Sequence, residues 1–272
     1  MSGRQMTFFV VGHRGMLGHV VARYAREHGH RVAVSDRRYL GEPDDLLIAD
    51  VVASRPDIVV NCAGITTHRA VSDASLLTTN SLLPQQLAAT LESGQMLIHP
   101  STDGVFDGRT GGYAVEDAPN SLDPYGLSKR LGELALGSRG AEVVVLRTSI
   151  VGPEEATSRG LLAWFLMQQG PVNGWRDHRW NGITTLAWAE LCVDIAAGKS
   201  QLARGLHHPT TASAVTKSEL LELFAATFQH RIEIRPVDSG APIDRTLVPS
   251  HVMPGLDDQL VDLRAWMRSR VA

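Results

Sequence analysis

Five short apolar runs, separated by segments of helical periodicity, occupy the first 150 residues of the chain. The runs are residues 7–11 (TFFVV), 31–35 (RVAVS), 57–61 (DIVVN), 96–100 (MLIHP) and 142–148 (EVVVLRT). Between them, residues 12–28 read as a turn and helix, and 44–54 as a short amphipathic helix behind Pro43. Residues 82–93 read as a helix with Pro84 in its first turn, and 124–137 as a further helix. A strand that is apolar throughout is satisfied only when both of its faces are covered, which is the condition inside a parallel sheet flanked by helices. The expectation for residues 1–150 is therefore α/β, a doubly wound parallel sheet of the Rossmann type.

The texture changes after Arg147. Gly-Pro and Asn-Gly pairs punctuate a stretch that holds Trp164, Trp175, Trp180 and Trp188. Residues 186–197 and 217–230 look helical, 231–237 looks like a strand, and a last helix is expected over 257–270. The expected organisation is a dinucleotide-binding domain over 1–150, with about 182–213 returning to it. A smaller substrate-binding lobe is expected from 151–181 and 214–272. Lys and Arg (26) nearly balance Asp and Glu (29), so no electrostatic nucleic-acid binder is expected. Two cysteines, Cys62 and Cys192, build neither a disulfide framework nor a cysteine zinc site, and the scattered histidines form no clear ligand pair, so no metal is expected. The opening residues are too short an apolar run for a signal peptide, and no apolar stretch of about 18 residues occurs. The expectation is a soluble cytoplasmic protein without membrane partners. Apolar helix faces suit a homodimer or the other side of the sheet equally.

Gly12, Gly15 and Gly18 form a G-x-x-G-x-x-G run directly between the first strand and the first helix. Such glycines permit a tight turn and close backbone approach, and the helix N-terminus offers N–H groups and positive dipole to a pyrophosphate. His13 and Arg14 stand where they can reach a phosphate or face solvent. The second strand ends Ser35-Asp36-Arg37-Arg38, about 20 residues beyond the glycines, where the adenosine ribose should lie. Asp36 suits the ribose hydroxyls of NAD(H). Arg37 and Arg38, with planar forks that match a 2′-phosphate, tip the expectation to NADP(H).

Tyr125 and Lys129 are spaced i, i+4 on the helix expected over 124–137. With four tyrosines and only three lysines in the chain, that spacing arises by chance about 0.04 times. A phenol is a weak acid–base catalyst at neutral pH. An ammonium at ~4 Å contributes ~4 kcal/mol at an effective dielectric of ~20, about three pK units before desolvation is subtracted. After the fourth strand stands Ser101-Thr102-Asp103, at the carboxyl edge where ligands of such folds bind. A hydroxyl there can hydrogen-bond a carbonyl that is gaining negative charge. Asp103 can orient that hydroxyl, hold a sugar hydroxyl or cap the turn.

The order GHRGMLG (12–18), NCAG (61–64), Asn80 ahead of a helix, STDGVFDG (101–108), YGLSK (125–129) and RTSIVGP (147–153) resembles the extended short-chain dehydrogenase/reductase family. The resemblance is strong over residues 1–155 and fainter to the end. Within that family the dTDP-4-dehydrorhamnose reductase group is the most similar, since STD-x-VF-x-G is its pattern at this strand end. The resemblance implies a catalytic set of Thr102, Tyr125 and Lys129, with Asn80 in support. It also assigns Met16 and Leu17 of the glycine run, Cys62, Ala63 and Gly64 beneath the adenosine, and Ser101, Thr148 and Ile150 towards the nicotinamide. The reaction implied is reduction of the 4-keto group of a nucleotide-activated 6-deoxy-4-keto-hexose. Asp103, Val105, Trp175, Arg176 and Asn181 are the candidate substrate contacts, with His68 and Arg245 behind them. Gly104 stands where sugar-nucleotide 4,6-dehydratases of the family carry a glutamate, so elimination of water lacks its acid. Residues 173–185 (NGWRDHRWNGITT) differ from the rhamnose enzyme, which leaves the nucleotide and the sugar open. The alternatives are an epimerase with tightly bound NAD and a non-catalytic nucleotide-binding regulatory subunit.

Overall fold

The computed structural model describes residues 4–67, 70–137, 142–154 and 160–269. Its centre is a six-stranded sheet built from β1 (Thr7–Val11), β2 (Arg31–Val34), β3 (Ile58–Asn61), β4 (Met96–Ser101), β5 (Glu142–Arg147) and a late strand, β10 (Gly205–His207). The strand order is β10-β5-β4-β3-β1-β2, and every pairing is parallel. Successive residues of β1 point to opposite faces, and both faces are buried. Phe8 and Val10 join one apolar cluster, while Phe9 and Val11 join another. This is why the run TFFVV carries no polar alternation.

The first-half helices are α1 (Gly18–Glu27), α2 (Leu46–Ser54), α3 (Asp73–Leu77), α4 (Leu83–Ala89) and α5 (Pro124–Gly137). Asp45 caps α2 by accepting from Leu47 N at 2.9 Å. Asp123 starts α5 by accepting from Tyr125 N and Gly126 N at 3.0 and 3.1 Å. Pro84 does lie in the first turn of α4, yet the helical path begins earlier than expected, at Asp73. A capping box of Ser72 and Ser75 opens it, and a π-helical turn over Thr78–Leu82 joins α3 to α4. That wider turn carries Asn80 inward, where it is 1% exposed. A serine pair is a weaker start signal than Ser with Glu, and a π turn has no sequence period of its own, so periodicity alone missed this start.

The second half is made of shorter pieces: β6 (Ile150–Val151), α6 (Leu161–Leu166), β7 (Val172–Trp175), β8 (His178–Trp180), β9 (Ile183–Thr184) and α7 (Thr185–Ala196). After β10 come β11 (Pro209–Thr211), β12 (Val215–Thr216), α8 (Lys217–Phe228), β13 (Ile234–Val237), β14 (Ile243–Asp244), β15 (His251–Met253) and α9 (Leu256–Arg268). Strands of two to four residues are too short to show a period, which is why most of them escaped the sequence reading. They pair as β12-β8-β14, β13-β7, β6-β9 and β11-β15. α7 packs on α1, with Trp188 fully buried in the same apolar cluster as Phe8. Among the described residues, no helix is long and apolar enough to cross a membrane.

α5 lies unusually close to its neighbours. A Cβ on Gly132 would stand 2.3 Å from Asn80 O, and one on Gly126 2.3 Å from Gly104 O. Both contacts are to backbone, which cannot rotate away. Gly132→Ala should therefore cost about 1–3 kcal/mol by urea denaturation, as overpacking does. Gly137→Ala, with nothing within 4 Å of the added carbon, should be neutral or stabilising. Equal effects of the two would remove the close-approach account.

Candidate active site

Two adjoining cavities run along the carboxyl ends of the strands. One, of about 550 Å³, lies over β1, β2 and β3. Gly12, Arg14 and Gly15 line it from the glycine run, Asp36, Arg37 and Arg38 from the end of β2, and Cys62, Ala63 and Gly64 from the end of β3. The other, of about 470 Å³, continues from Gly15, Met16 and Leu17 across Asn80, Ser101 and Thr102 to Tyr125 and Lys129, with Thr148 and Ile150 on its far wall. The cavities share Gly15 and Cys62 to Ile65. Gly18 lines neither. Its Cβ would stand 2.2 Å from Gly12 O, so its smallness closes the turn onto the helix. Gly12 has φ +75°, and a side chain there would also strike Ala63 N at 2.7 Å. The result is a backbone cradle at a helix start, long enough for both halves of a dinucleotide.

At the β2 end, Asp36 Oδ1 receives Arg14 Nη2 at 2.7 Å and His13 Nε2 at 3.3 Å. Arg37 is turned to Asp50, 3.1 Å away, whereas Arg38 makes no ion pair among the described residues. Burial pushes the Cys62 thiol up, so it is an inert wall of the cleft. Asn80 is fully engaged: its Nδ2 donates to Ile65 O and Ser128 Oγ at 2.9 Å each, and its Oδ1 accepts from Ile65 N at 3.1 Å. It ties the loop after β3 to α5.

Thr102 ends β4 and caps the short 3₁₀ turn over Asp103–Val105. Its Oγ1 accepts from Gly104 N at 3.0 Å and donates to Asp103 Oδ1 at 3.1 Å. The Tyr125 phenol, in the first turn of α5, faces this hydroxyl. Burial pushes Tyr125 up to about 12; the Thr102 hydrogen bond opposes that rise, while Asp103 and Asp123 add to it. One turn on, Lys129 is 5% exposed. Burial brings it down to about 8 against the opposing pull of Glu133. Its Nζ donates to Pro100 O at 2.6 Å and stands 3.5 Å from His99 Nε2. The three residues come together as the spacing suggested, but the expected charge effect is corrected. The lysine nitrogen is held by the β4 backbone, and burial, not the ammonium, governs the phenol.

The substrate candidates divide. Asp103 and Arg245 stand beside the Tyr125–Thr102 pair together with Lys217, the first residue of α8. The charges of Lys217 and Arg245 both oppose the rise that burial gives the Asp103 carboxyl. Arg245 Nε is fixed by Phe106 O at 3.0 Å, and Lys217 Nζ lies 5.2 Å from the Trp180 ring. Neither cation forms an ion pair among the described residues. Asn181 is corrected to a structural residue. It is 7% exposed, its Nδ2 donates to Thr211 O and Leu247 O, and its Oδ1 accepts from Leu247 N, so no group is left for a ligand. Val105 is also structural, packed at 1% exposure with Phe106, Tyr113 and Leu247. Arg176 is taken by a fork to Asp238, both bonds 2.8 Å, and Trp175 leans on His178 at 4.4 Å between centroids, so neither lines the cleft. His68 lies outside the described residues.

Comparison with known proteins follows the same lines. Residues 6–252 match the family described as the RmlD substrate binding domain. The chain belongs to that family. It is 35% identical to a probable low-salt glycan biosynthesis reductase of Haloferax volcanii, over 93% of this chain and 86% of that protein. It is 35% identical to the dTDP-4-dehydrorhamnose reductase of Burkholderia thailandensis over 153 residues, 54% of this chain and 50% of that protein. The fold matches the crystal structure of the Bacillus anthracis dTDP-4-dehydrorhamnose reductase in complex with NADP, with TM-score 0.82 at 16% identity, covering 97% and 100% of the two chains.

Beneath the site lies a polar network that sequence reading missed. Arg147, 2% exposed, is forked to Glu133 at 3.0 and 2.7 Å and stacked 5.1 Å from the Phe106 ring. Ser101 donates to the same carboxylate. On the other side Arg147 Nη1 donates to His208 Nε2 at 3.1 Å, leaving the His208 Nδ1–H to face Val248 O at 3.2 Å. Burial and the neighbouring Arg147 bring His208 down to about 4, so it is neutral at physiological pH. Glu133 follows Lys129 by four residues, and that spacing was the available signal; the partner on β5 was not visible. Removing one member of a buried pair strands the other, so Glu133→Ala should cost about 3–5 kcal/mol by chemical denaturation. Adding Arg147→Met should recover part of the loss. Fully additive losses would show that the pair is not coupled.

Proposed function

We propose that this chain is an NAD(P)H-dependent reductase of the 4-keto group of a nucleotide-activated 6-deoxy-4-keto-hexose. The observation that carries the reading is the Tyr125 phenol, set against Thr102 and one helical turn from a buried Lys129, at the end of a dinucleotide-sized cleft. The family and the reductases named among its relatives support it.

The cradle of Gly12, Gly15 and Gly18 at the start of α1 would hold the pyrophosphate, and Lys129 the nicotinamide ribose. When bound, the reduced nicotinamide supplies the hydride that converts the ketone to an alcohol. Tyr125 holds the proton for the keto oxygen: a phenol raised to about 12 is protonated across the neutral range, the state a donor needs. Thr102, whose Oγ1 is fixed by Gly104 N, would turn its single hydroxyl proton from Asp103 to the same oxygen as negative charge develops. Lys217 and Arg245, the two cations beside Asp103, suit the diphosphate of a nucleotide sugar. The sugar nucleotide would lie between the strand ends and the lobe formed by residues 151–181 and 214–272. At the adenosine end, Arg14 and Arg38 beside Asp36 favour the 2′-phosphate of NADP(H) over the bare ribose of NAD(H).

Tyr125→Phe should lower kcat by about 10²–10⁴-fold towards a panel of 4-keto nucleotide sugars followed by NADPH absorbance, with NADPH affinity nearly unchanged. A near full-speed variant removes the proton-donor role, and a panel with no turnover removes the reaction. Arg38→Ala should weaken NADPH at least ~10-fold more than NADH in fluorescence titrations, as loss of one charged hydrogen bond implies. Equal losses for the two cofactors would remove the phosphate reading.

A further inference from the structure

The side chains of Asn61, His99 and Lys129 form a buried chain running from the end of β3, across β4, to α5. Asn61 and His99 are 0% exposed, and Lys129 5%. The direction of hydrogen bonding along it is determined at one end. Asn61 Oδ1 accepts from Ala63 N at 3.2 Å, so the amide nitrogen is the atom turned to His99, 3.1 Å from Nδ1. The reverse orientation would set the amide NH₂ against the Ala63 N–H. An amide nitrogen only donates, so Nδ1 must be the accepting nitrogen of the ring, and the ring proton stands on Nε2. A second proton on the ring is opposed by burial and by the Lys129 charge, which hold the imidazole well below its ordinary range.

Nε2 is the atom that faces Lys129 Nζ, at 3.5 Å. An N–H cannot accept from an ammonium, and the two positive ends oppose each other. It can donate to the lone pair of an amine. In that state Nζ accepts from His99, donates to Pro100 O at 2.6 Å, and keeps one N–H for the cleft. We propose that Asn61 and His99 are positioning residues for the charge of Lys129: Asn61 imposes a tautomer on His99 that disfavours the ammonium and favours the amine.

The other groups around Lys129 do not cancel this. Glu133, on the same helix, favours the ammonium, but its carboxylate is already shared by Arg147 and Ser101. Tyr125 is held protonated, and Asp103 is engaged by Thr102 and the charges of Lys217 and Arg245. Asn80 and Ser128, between α5 and the π turn, are neutral and bonded to each other. A lysine that exchanges its proton near neutral pH can restore the Tyr125 phenol after it has given its proton away. That consequence rests on the reductase reading; the charge-state claim does not.

The test uses the full chain without cofactor or substrate. Long-range ¹H–¹⁵N correlation of ¹⁵N-histidine protein reads the His99 tautomer, and the Lys side-chain ¹³Cε and ¹⁵Nζ shifts are titrated against pH. Only Lys129, Lys199 and Lys217 contribute, so Lys199→Arg and Lys217→Arg assign the signals. The expected result is His99 protonated at Nε2 and a Lys129 midpoint near pH 8. Asn61→Asp places an acceptor against Nδ1. It should move the ring proton there and raise the Lys129 midpoint by about one pH unit or more, tenfold in proton affinity. Wild-type His99 protonated at Nδ1, a Lys129 midpoint equal to that of Lys199, or a variant whose midpoint rises without a tautomer change would each overturn the proposal. Burial alone also lowers the Lys129 midpoint, so Asn61→Ala serves if Asn61→Asp does not fold. It removes the donor to Nδ1 and should raise the midpoint as well, and an unchanged midpoint overturns the proposal. A protein that shows the expected titration but reduces no ketone would sink the functional reading and leave this one standing.

Discussion

Two positions without side chains on one helix set the depth of the whole site. At Gly126 and Gly132, α5 rests on the backbone of the 3₁₀ turn after β4 and of the π turn before α4. Any Cβ there would push the helix outward. Because α5 lies so low, the residues between and beside those glycines reach under the strand ends: Ser128 to Asn80, Lys129 to Pro100 O, Glu133 to Ser101 and Arg147. The first turn of the same helix brings Tyr125 against Thr102. The approach is backbone on backbone, so it is rigid, and rigidity is what a group-transfer site needs.

That depth has an electrostatic consequence. Tyrosine and lysine have nearly equal proton affinities in water. Inside the cleft burial separates them, raising Tyr125 to about 12 and lowering Lys129 to about 8, since it disfavours the charged form of each. The phenol is thereby kept loaded, and a proton moving from the lysine towards a phenolate runs downhill. The Glu133–Arg147–His208 network below is buried and keeps its own charges paired, with His208 neutral, so it supports the site structurally.

Much of this was legible in the chain. The apolar runs located the strands because both faces of a parallel sheet are dry, and the glycine run located the cradle because only glycine tolerates the φ of Gly12 and the contacts of Gly18. Tyr125 and Lys129 were visible because four residues make one turn. The candidates that failed were those whose partners lie far away in sequence. Asn181 looked like a free polar residue until Thr211 and Leu247 enclosed it, and Arg176 looked like a phosphate fork until Asp238 took it. Lys217 was passed over for the converse reason: nothing local marks a helix-start lysine as the neighbour of Asp103.

By itself, then, the order of residues determined what recurs within one turn, one strand or one loop: the doubly wound sheet, the glycine turn at the start of α1 and the tyrosine–lysine pair. Only the folded molecule decided which buried groups meet across elements, and so which charges each one feels. Proton affinities depend on burial and on partners from distant strands, and no local spacing encodes either. The alignment of Asn61, His99 and Lys129, drawn from three separate elements, belongs wholly to that second kind of information.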